Sequence, residues 1–250
     1  MPRVRQLLPE PADIDPLAAH RSLPRPAPPD RPWVLINMVA SLDGATALDG
    51  RSGGLGSAAD LAVFRALRAV PDVILAAAGT VRAERYGPPR PTDEVRAMRR
   101  AAGQAPAPRL AVVTRALDLD PALPLFADRP ADQELPLVLA APGGDPAARA
   151  RLAGCAEIHD LDGPDGDPGE ILAVLHARGA RTVLVEGGPG FNGSLLAAGL
   201  VDELNLTIAP VLVGGSSKRV VHLADEAPHA MTLAHVWEHD GVLCLRHVRA

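Results

Sequence analysis

The stretch TVLVEGGPGFNGSLLAAGLVDELNLTI, from Thr182 to Ile208, decides how this chain is read. Its first residues form a short apolar strand that ends in Glu186 and two glycines, Gly187 and Gly188. A helix opens there, closes at Gly199 and feeds a second strand that begins near Asp202 and Glu203, a strand–turn–helix–strand unit. The helix start carries no bulky side chain, so its first N–H groups are open to an acceptor such as a phosphate. Glycine lets the backbone approach an anion closely. The plain alternative is a tight turn between strand and helix. That alternative leaves unexplained why an acid stands directly before the glycines.

Working outward, Trp33–Val39 is an apolar run suited to a buried strand, followed by a Gly-rich loop from Ser41 to Gly56. Ser57 is an N-cap for a helix over Ala58–Ala69, with Asp60 in the capping-box position. Val73–Ala77 is a second buried strand ending at Gly79-Thr80, and a short helix covers Val81–Arg85. Thr92 caps a helix that ends near Gly103. Short strands follow at Arg109–Thr114, Leu137–Ala141 and Ala156–His159, with helical turns over Pro146–Ala153 and a polar loop over Asp160–Gly169. Asp167-Pro168 opens a further helix that runs to Arg178. The tail, Met231–Glu238 and Val242–Val248, reads as a hairpin turning at Asp240-Gly241. Strands alternating with helices imply an α/β fold with a mainly parallel sheet covered on both faces, made mixed by the closing antiparallel hairpin. Residues 1–31 are Pro-rich and read as an extended arm laid on the body or on a partner subunit; residues 32–250 read as one domain.

Composition narrows the function. Aromatic residues make up only 2% of the 250, so the core is built from Ala, Val and Leu. A formal net charge of −5 argues against coating nucleic acid. The two cysteines, Cys155 and Cys244, are far apart and imply neither a disulfide framework nor a metal site. The first residues lack the apolar core of a signal peptide, and no apolar run approaches the ~20 residues of a membrane span. The expectation is a cytoplasmic protein with no membrane or nucleic-acid partner and no metal.

In open α/β sheets ligands sit beyond the carboxyl ends of the strands. Four such ends carry polar residues: Ser41-Leu-Asp43-Gly44, Gly79-Thr80, Thr114-Arg115 and Glu186-Gly187-Gly188. Thr114-Arg115 offers a hydroxyl and a guanidinium fork to a phosphate, or is a surface arginine after a strand. Asp43 is either a turn former or a catalytic group. Glu186 can hold a substrate hydroxyl, carry a raised pKa or cap its neighbouring helix. Arg82, Glu84 and Arg85 are a ligand-facing set or a solvated helix face. No Gly-Lys-Ser/Thr phosphate loop or deaminase His-x-Glu signature is present.

The blocks Val39-Ala-Ser41-Leu-Asp43-Gly44, Ala78-Gly79-Thr80-Val81-Arg82-Ala83-Glu84, Val183-Leu-Val-Glu186-Gly187-Gly188 and Leu200-Val-Asp202-Glu203-Leu, in this order, resemble the reductase domain of bacterial riboflavin biosynthesis. The resemblance runs from about Trp33 to the C-terminus. It implies the dihydrofolate reductase-like fold, a three-layer α/β/α arrangement. It also implies NADPH-dependent reduction of 5-amino-6-(5-phosphoribosylamino)uracil to its ribitylamino product, by hydride attack on C1′ of the ring-opened sugar, and a homodimer. By the family pattern Gly187, Gly188, Pro189, Gly190 and Phe191 border the cofactor diphosphate, with Gly79 and Thr80 flanking the cofactor. Thr114 and Arg115 match the 2′-phosphate site. Asp43, Glu84 and Glu186 match acidic positions near the reacting sugar. Asn37 faces the substrate, and Ser57, Arg68 and Arg90 are candidates for its phosphate. Two positions depart from the family: Asn37 stands where lysine is usual, and Glu84 where aspartate is usual. A neutral amide in place of an ammonium changes what can be held there. The alternatives are a dihydrofolate reductase-like enzyme acting on a pterin or other pyrimidine-like molecule, and a non-catalytic NADPH sensor. Without an upstream deaminase domain, the expectation is a stand-alone reductase.

Overall fold

The computed structural model describes residues 4–163 and 166–250. The first three residues, and positions 164 and 165 of the expected Asp160–Gly169 loop, lie outside the described residues. The chain begins with β1 (Val4–Leu8), β2 (Ala12–Ile14), α1 (Pro16–Ser22), β3 (Trp33–Ser41) and α2 (Ala58–Arg68). It continues through β4 (Val73–Ala77), α3 (Ala78–Ala83), α4 (Asp93–Ala101), β5 (Arg109–Thr114), α5 (Pro124–Ala127) and β6 (Leu137–Ala140). Then come α6 (Pro146–Leu152), β7 (Glu157–Asp160), α7 (Pro168–Ala177), β8 (Thr182–Val185), α8 (Pro189–Ala197), β9 (Glu203–Ala209), β10 (Met231–His239) and β11 (Val242–Arg249). This is the mixed α/β class that the alternation predicts, with antiparallel strands gathered at the C-terminus.

The chain divides into two compact units. The first holds the segments up to Pro26, Trp33–Val70 and Leu184–Ala250; the second holds Ala27–Pro32 and Pro71–Val183. In the second unit β4, β5, β6 and β7 pair in that order, all parallel, with Ala77 opposite Val113 and Thr114 opposite Ala140. The side chains of β4, β5 and β6 are buried almost throughout, as parallel strands covered on both faces require, whereas those of β7 at the edge are exposed or half-buried. Asp72 secures the N-terminal edge of this unit: Oδ2 accepts from the N–H groups of Arg181 and Thr182, and Oδ1 from Gln104.

In the first unit β3 runs parallel to β9, which pairs antiparallel with β11, then β10, β1 and β2. The predicted hairpin is therefore present, and Asp240 and Gly241 at its turn both have positive φ. Glu203, Asn205 and Thr207 are buried positions of β9, alternating with the half-buried Leu204, Leu206 and Ile208.

The N-terminal arm and the helix after β4 differ from the sequence reading, and the single turn α5 is an element it does not contain. The N-terminal arm is not merely extended: it adds two strands to the β10 edge and a helix. That helix, α1, starts at Asp15-Pro16, where the Asp15 carboxylate accepts from Leu17 N at 2.9 Å, an N-cap and first-turn proline pattern. The helix expected over Val81–Arg85 starts three residues earlier, directly at the end of β4, so Gly79 and Thr80 occupy its first turn. It ends at Ala83 with Glu84 as its C-cap, after which Arg85 takes a positive φ of 49°.

The arm is fastened by a buried charge cluster. Glu203 is fully buried; its carboxylate accepts from Arg25 Nε and Nη2 at 3.0 Å each and from Arg246 Nη2 at 3.1 Å. Trp33 Nε1 and Asn205 Nδ2 also donate to it, at 3.3 and 2.9 Å. Arg246 Nε lies 3.0 Å from Oε1 but off the hydrogen-bonding line, so it contributes charge rather than a directed bond. Burial alone would raise the Glu203 pKa; Arg25 and Arg246 more than offset it and bring it to about 2. His20 sits in the same cluster, its Nδ1 3.4 Å from Arg25 Nη2 and its ring edge-on to Trp237 at 4.8 Å. Burial, followed by the Arg25 charge, lowers its pKa to about 3, so it is neutral in the fold.

Removing one partner of such a pair leaves a buried, uncompensated charge. Arg25→Ala is expected to cost about 3–5 kcal/mol, measured by urea unfolding. His20 titrates at 6.5 when unfolded and at about 3 when folded, so the unfolded chain takes up the proton first as pH falls. Stability is complete above pH 6.5 and declines between 6.5 and 3, by about 1.4 kcal/mol per pH unit from this group. Thermal melts across that range should fall with pH, and His20→Leu should make the slope shallower.

Candidate functional site

The end of β8 delivers Glu186 into the interior of the first unit, with its side chain 3% exposed. Both of its oxygens are taken by Arg68, the last residue of α2: Nε to Oε1 and Nη2 to Oε2, each at 2.7 Å. The guanidinium lies over the ring of Phe64, one helical turn earlier, at 4.3 Å from its centroid. Gly187 follows with φ +88°, a conformation that favours glycine, and the Gly187–Gly188 peptide is cis. Gly188 is the N-cap of α8 and no side chain caps that end. Pro189 has no N–H, so the open donors of the first turn are those of Gly190 and Phe191. Loop residues 220–223 lie along the same helix. His222 N donates to Pro189 O at 3.0 Å, and Asn192 Nδ2 donates to Val220 O at 2.9 Å. At Gly193 a Cβ would stand 2.1 Å from His222 O, so that face of the helix admits only glycine.

Asp43 follows the end of β3, beside the end of its parallel neighbour β9, where Ser41 is opposite Ala209. Its carboxylate accepts from Ser41 Oγ at 2.5 Å, Gly214 N at 2.6 Å and Val213 N at 3.1 Å. These bonds, the Ser41 hydroxyl first, lower its pKa to about 2. Asp43 is therefore a carboxylate at neutral pH. It ties the 213–214 loop to the β3 end as an acceptor and does not supply protons.

In the second unit the parallel pairing of β4 with β5 brings two predicted strand ends side by side. Gly79 and Thr80 start α3 beyond β4, and Thr114 and Arg115 stand beyond β5. Thr114 is buried and its Oγ1 accepts from Leu117 N at 3.1 Å, which leaves the hydroxyl proton to donate; Arg115 is exposed. Glu84 caps the C-terminus of α3. Arg90 is exposed and donates to Asp128 O at 3.2 Å.

Ser57 and Arg68 stand at opposite ends of α2, about 16 Å apart along the axis at 1.5 Å per residue, so the two do not grip one phosphate together. Ser57 Oγ accepts from Asp60 N at 3.0 Å as the helix cap. Asn37 lies on β3 opposite Asn205, half-buried, and lines a narrow, mostly apolar cavity with His20, Val63, Asn205, Trp237 and Cys244. The sequence reading missed the arms of this arrangement that come from distant segments: Arg25 and His20 on the arm, Phe64 under Arg68, and the loop amides at Asp43. Only Ser41-x-Asp43, a hydroxyl two residues before an acid, was a local signal for the last of these. Among the described residues no group of His, Cys, Asp or Glu is arranged to hold a metal ion, and no helix is long and apolar enough to cross a membrane.

Polar strand ends on an α/β frame, and an open helix start behind a Glu-Gly-Gly turn, are features that many α/β enzymes use to hold phosphate groups, and they mark a class of fold rather than a single protein. The family is given by comparison: the chain belongs to the RibD C-terminal domain family, whose sequence model matches residues 32–245. It is 31% identical over 193 residues to a 2,5-diamino-6-ribosylamino-4(3H)-pyrimidinone 5′-phosphate reductase of Archaeoglobus fulgidus, covering 76% of this chain and 86% of that one. A protein of the same name from Methanothermobacter thermautotrophicus is 33% identical over 192 residues, with 76% and 83% covered. Among solved structures, a pyrimidine reductase-like protein from Corynebacterium diphtheriae superposes with a TM-score of 0.78 at 26% identity, over 88% of this chain and 92% of that one. The family is thus one of riboflavin-pathway pyrimidine reductases, which are oxidoreductases.

Asp43→Ala is expected to raise amide hydrogen exchange at residues 213–214 while leaving exchange in β3 and β9 unchanged. The wild-type tether weakens as pH falls from 3.8 through 2, because the carboxylate must then be protonated against its three donors.

Proposed function

We propose that this protein is an NADPH-dependent reductase of riboflavin biosynthesis, reducing 5-amino-6-(5-phosphoribosylamino)uracil to the ribitylamino form. The carrying observation is the family match over residues 32–245, together with the Glu186-Gly187-Gly188 turn that opens α8 without a side-chain cap. That helix start fits a cofactor diphosphate: it presents backbone donors and positive dipole character with no side chain in the way. A nicotinamide held there would supply the hydride that reduces C1′ of the ring-opened sugar.

The residues then divide by task. Gly187, Gly188, Pro189, Gly190 and Phe191 border the diphosphate, and Gly79 and Thr80 flank the cofactor. Thr114 and Arg115 take the 2′-phosphate, the hydroxyl donating and the guanidinium adding charge. Glu186 keeps its fork to Arg68 and offers a remaining lone pair to a sugar hydroxyl, and Asp43 is an ionised acceptor that positions rather than protonates. Glu84 completes the acidic set near the sugar. Asn37 contacts the substrate, and Ser57 and Arg90 are the phosphate candidates. Residues 32–250 act as one reductase domain, in the cytoplasm, as a homodimer. The half-buried apolar residues Leu204, Leu206 and Ile208 of β9, with Leu243 and Leu245 of β11, support that assembly.

A second reading changes the ring. The relatives from Archaeoglobus and Methanothermobacter are named for the 2,5-diamino pyrimidinone, which keeps a 2-amino group. Asn37 offers a carbonyl acceptor that lysine lacks, and this favours such a ring.

Mixing protein, NADPH and each pyrimidine in turn, and following loss of reduced-nicotinamide absorbance, tests both readings; turnover of neither substrate overturns them. Arg115→Ala should lower the preference for NADPH over NADH by about 10- to 100-fold, read as the ratio of dissociation constants.

A further inference from the structure

Arg68 is a candidate for the substrate phosphate by family pattern, yet its fork is already engaged. Glu186 is buried to 3% side-chain exposure, where a lone carboxylate is strongly disfavoured. Two parallel bonds of 2.7 Å from one guanidinium edge satisfy both of its oxygens.

The guanidinium is itself fixed. It lies against the Phe64 ring at 4.3 Å, at the C-terminal end of α2, where the helix dipole favours a cation. The helix behind it is anchored by the buried residues Ala59, Val63, Ala66 and Leu67 and by the Ser57 cap. Beyond Glu186 the chain has no side chain until Pro189. The carboxylate is therefore the last side-chain hold on the chain before the start of α8.

We propose that Arg68 is a positioning residue: through its fork to Glu186 it fixes that carboxylate and the Gly187–Phe191 turn, and it does not ligate the substrate phosphate with that edge. The inference rests on the reductase reading above for its kinetic consequence, but its structural consequence stands by itself. Lysine keeps the charge at this position and loses the fork, so charge alone does not restore the arrangement.

The test uses the full chain with Arg68→Ala, Arg68→Lys, Glu186→Gln and the double variant Arg68→Ala/Glu186→Gln. Amide hydrogen exchange over residues 187–191 should rise about tenfold in both Arg68 variants, with no substrate present. Unchanged exchange in Arg68→Lys, the variant least prone to misfolding, overturns the inference whether or not the protein turns over. In kinetics, each single variant should lose about 10- to 100-fold in kcat/KM, and the double variant no more than the worse single one. The loss should be equal on the phosphorylated substrate and on its dephosphorylated riboside. Additive losses, or a rise in KM confined to the phosphorylated substrate, would make Arg68 a phosphate ligand and end the proposal. A wild-type protein that neither binds NADPH nor turns over either pyrimidine removes the reductase reading, and the exchange measurement still decides the role of Arg68.

Discussion

The first unit is organised around one buried carboxylate. Glu203 sits at the start of β9 and draws donors from the arm, from β3, from β9 and from β11. A charge in that position is tolerable only if nearly every lone pair is occupied, and here donors from four segments occupy them. The interaction therefore specifies which segments must meet. Arg25 cannot reach it unless α1 has docked, and Arg246 cannot unless β11 has paired in register with β9. With so few aromatic residues to give the core a distinctive shape, polar contacts of this kind supply geometric definition that Ala, Val and Leu alone do not.

The same logic recurs at smaller scale around the site. Asp43 gathers a hydroxyl and two loop amides, Glu186 gathers a guanidinium, and Asp72 gathers two amides and a side-chain amide. Each acid stands just before or after a strand, where the ladder stops satisfying backbone groups and a loop must be held by other means. The loops that carry the proposed chemistry are thus short spans between fixed acids, which is how an irregular segment is given one conformation.

Features set by neighbours in sequence were legible, and those set by distant partners were not. The caps at Ser57, Thr92 and Asp167, and the turn at Asp240-Gly241, follow local rules and were found where expected. The Asp15-Pro16 start of α1 follows the same rules but was masked by the surrounding prolines. The start of α3 was misread because Gly79 and Thr80 look like loop residues; a strand running straight into a helix gives no local signal. Arg68 pairs across 118 positions and Arg25 across 178, and no periodicity in the chain encodes either. For the site, residue types at strand ends were readable, while the partner of each was not: nothing near Arg68 in the sequence points to Glu186 as the group it grips.

The place of Arg25 has a practical corollary. The family's shared sequence begins at residue 32, so a clone trimmed to that boundary would look complete by homology. It would nevertheless discard the guanidinium that neutralises Glu203 and the imidazole beside it, and uncover the β10 edge that β1 occupies. Bare strand edges recruit other chains. Insolubility of such a shortened product would thus report on the missing arm, and would say nothing against the enzyme.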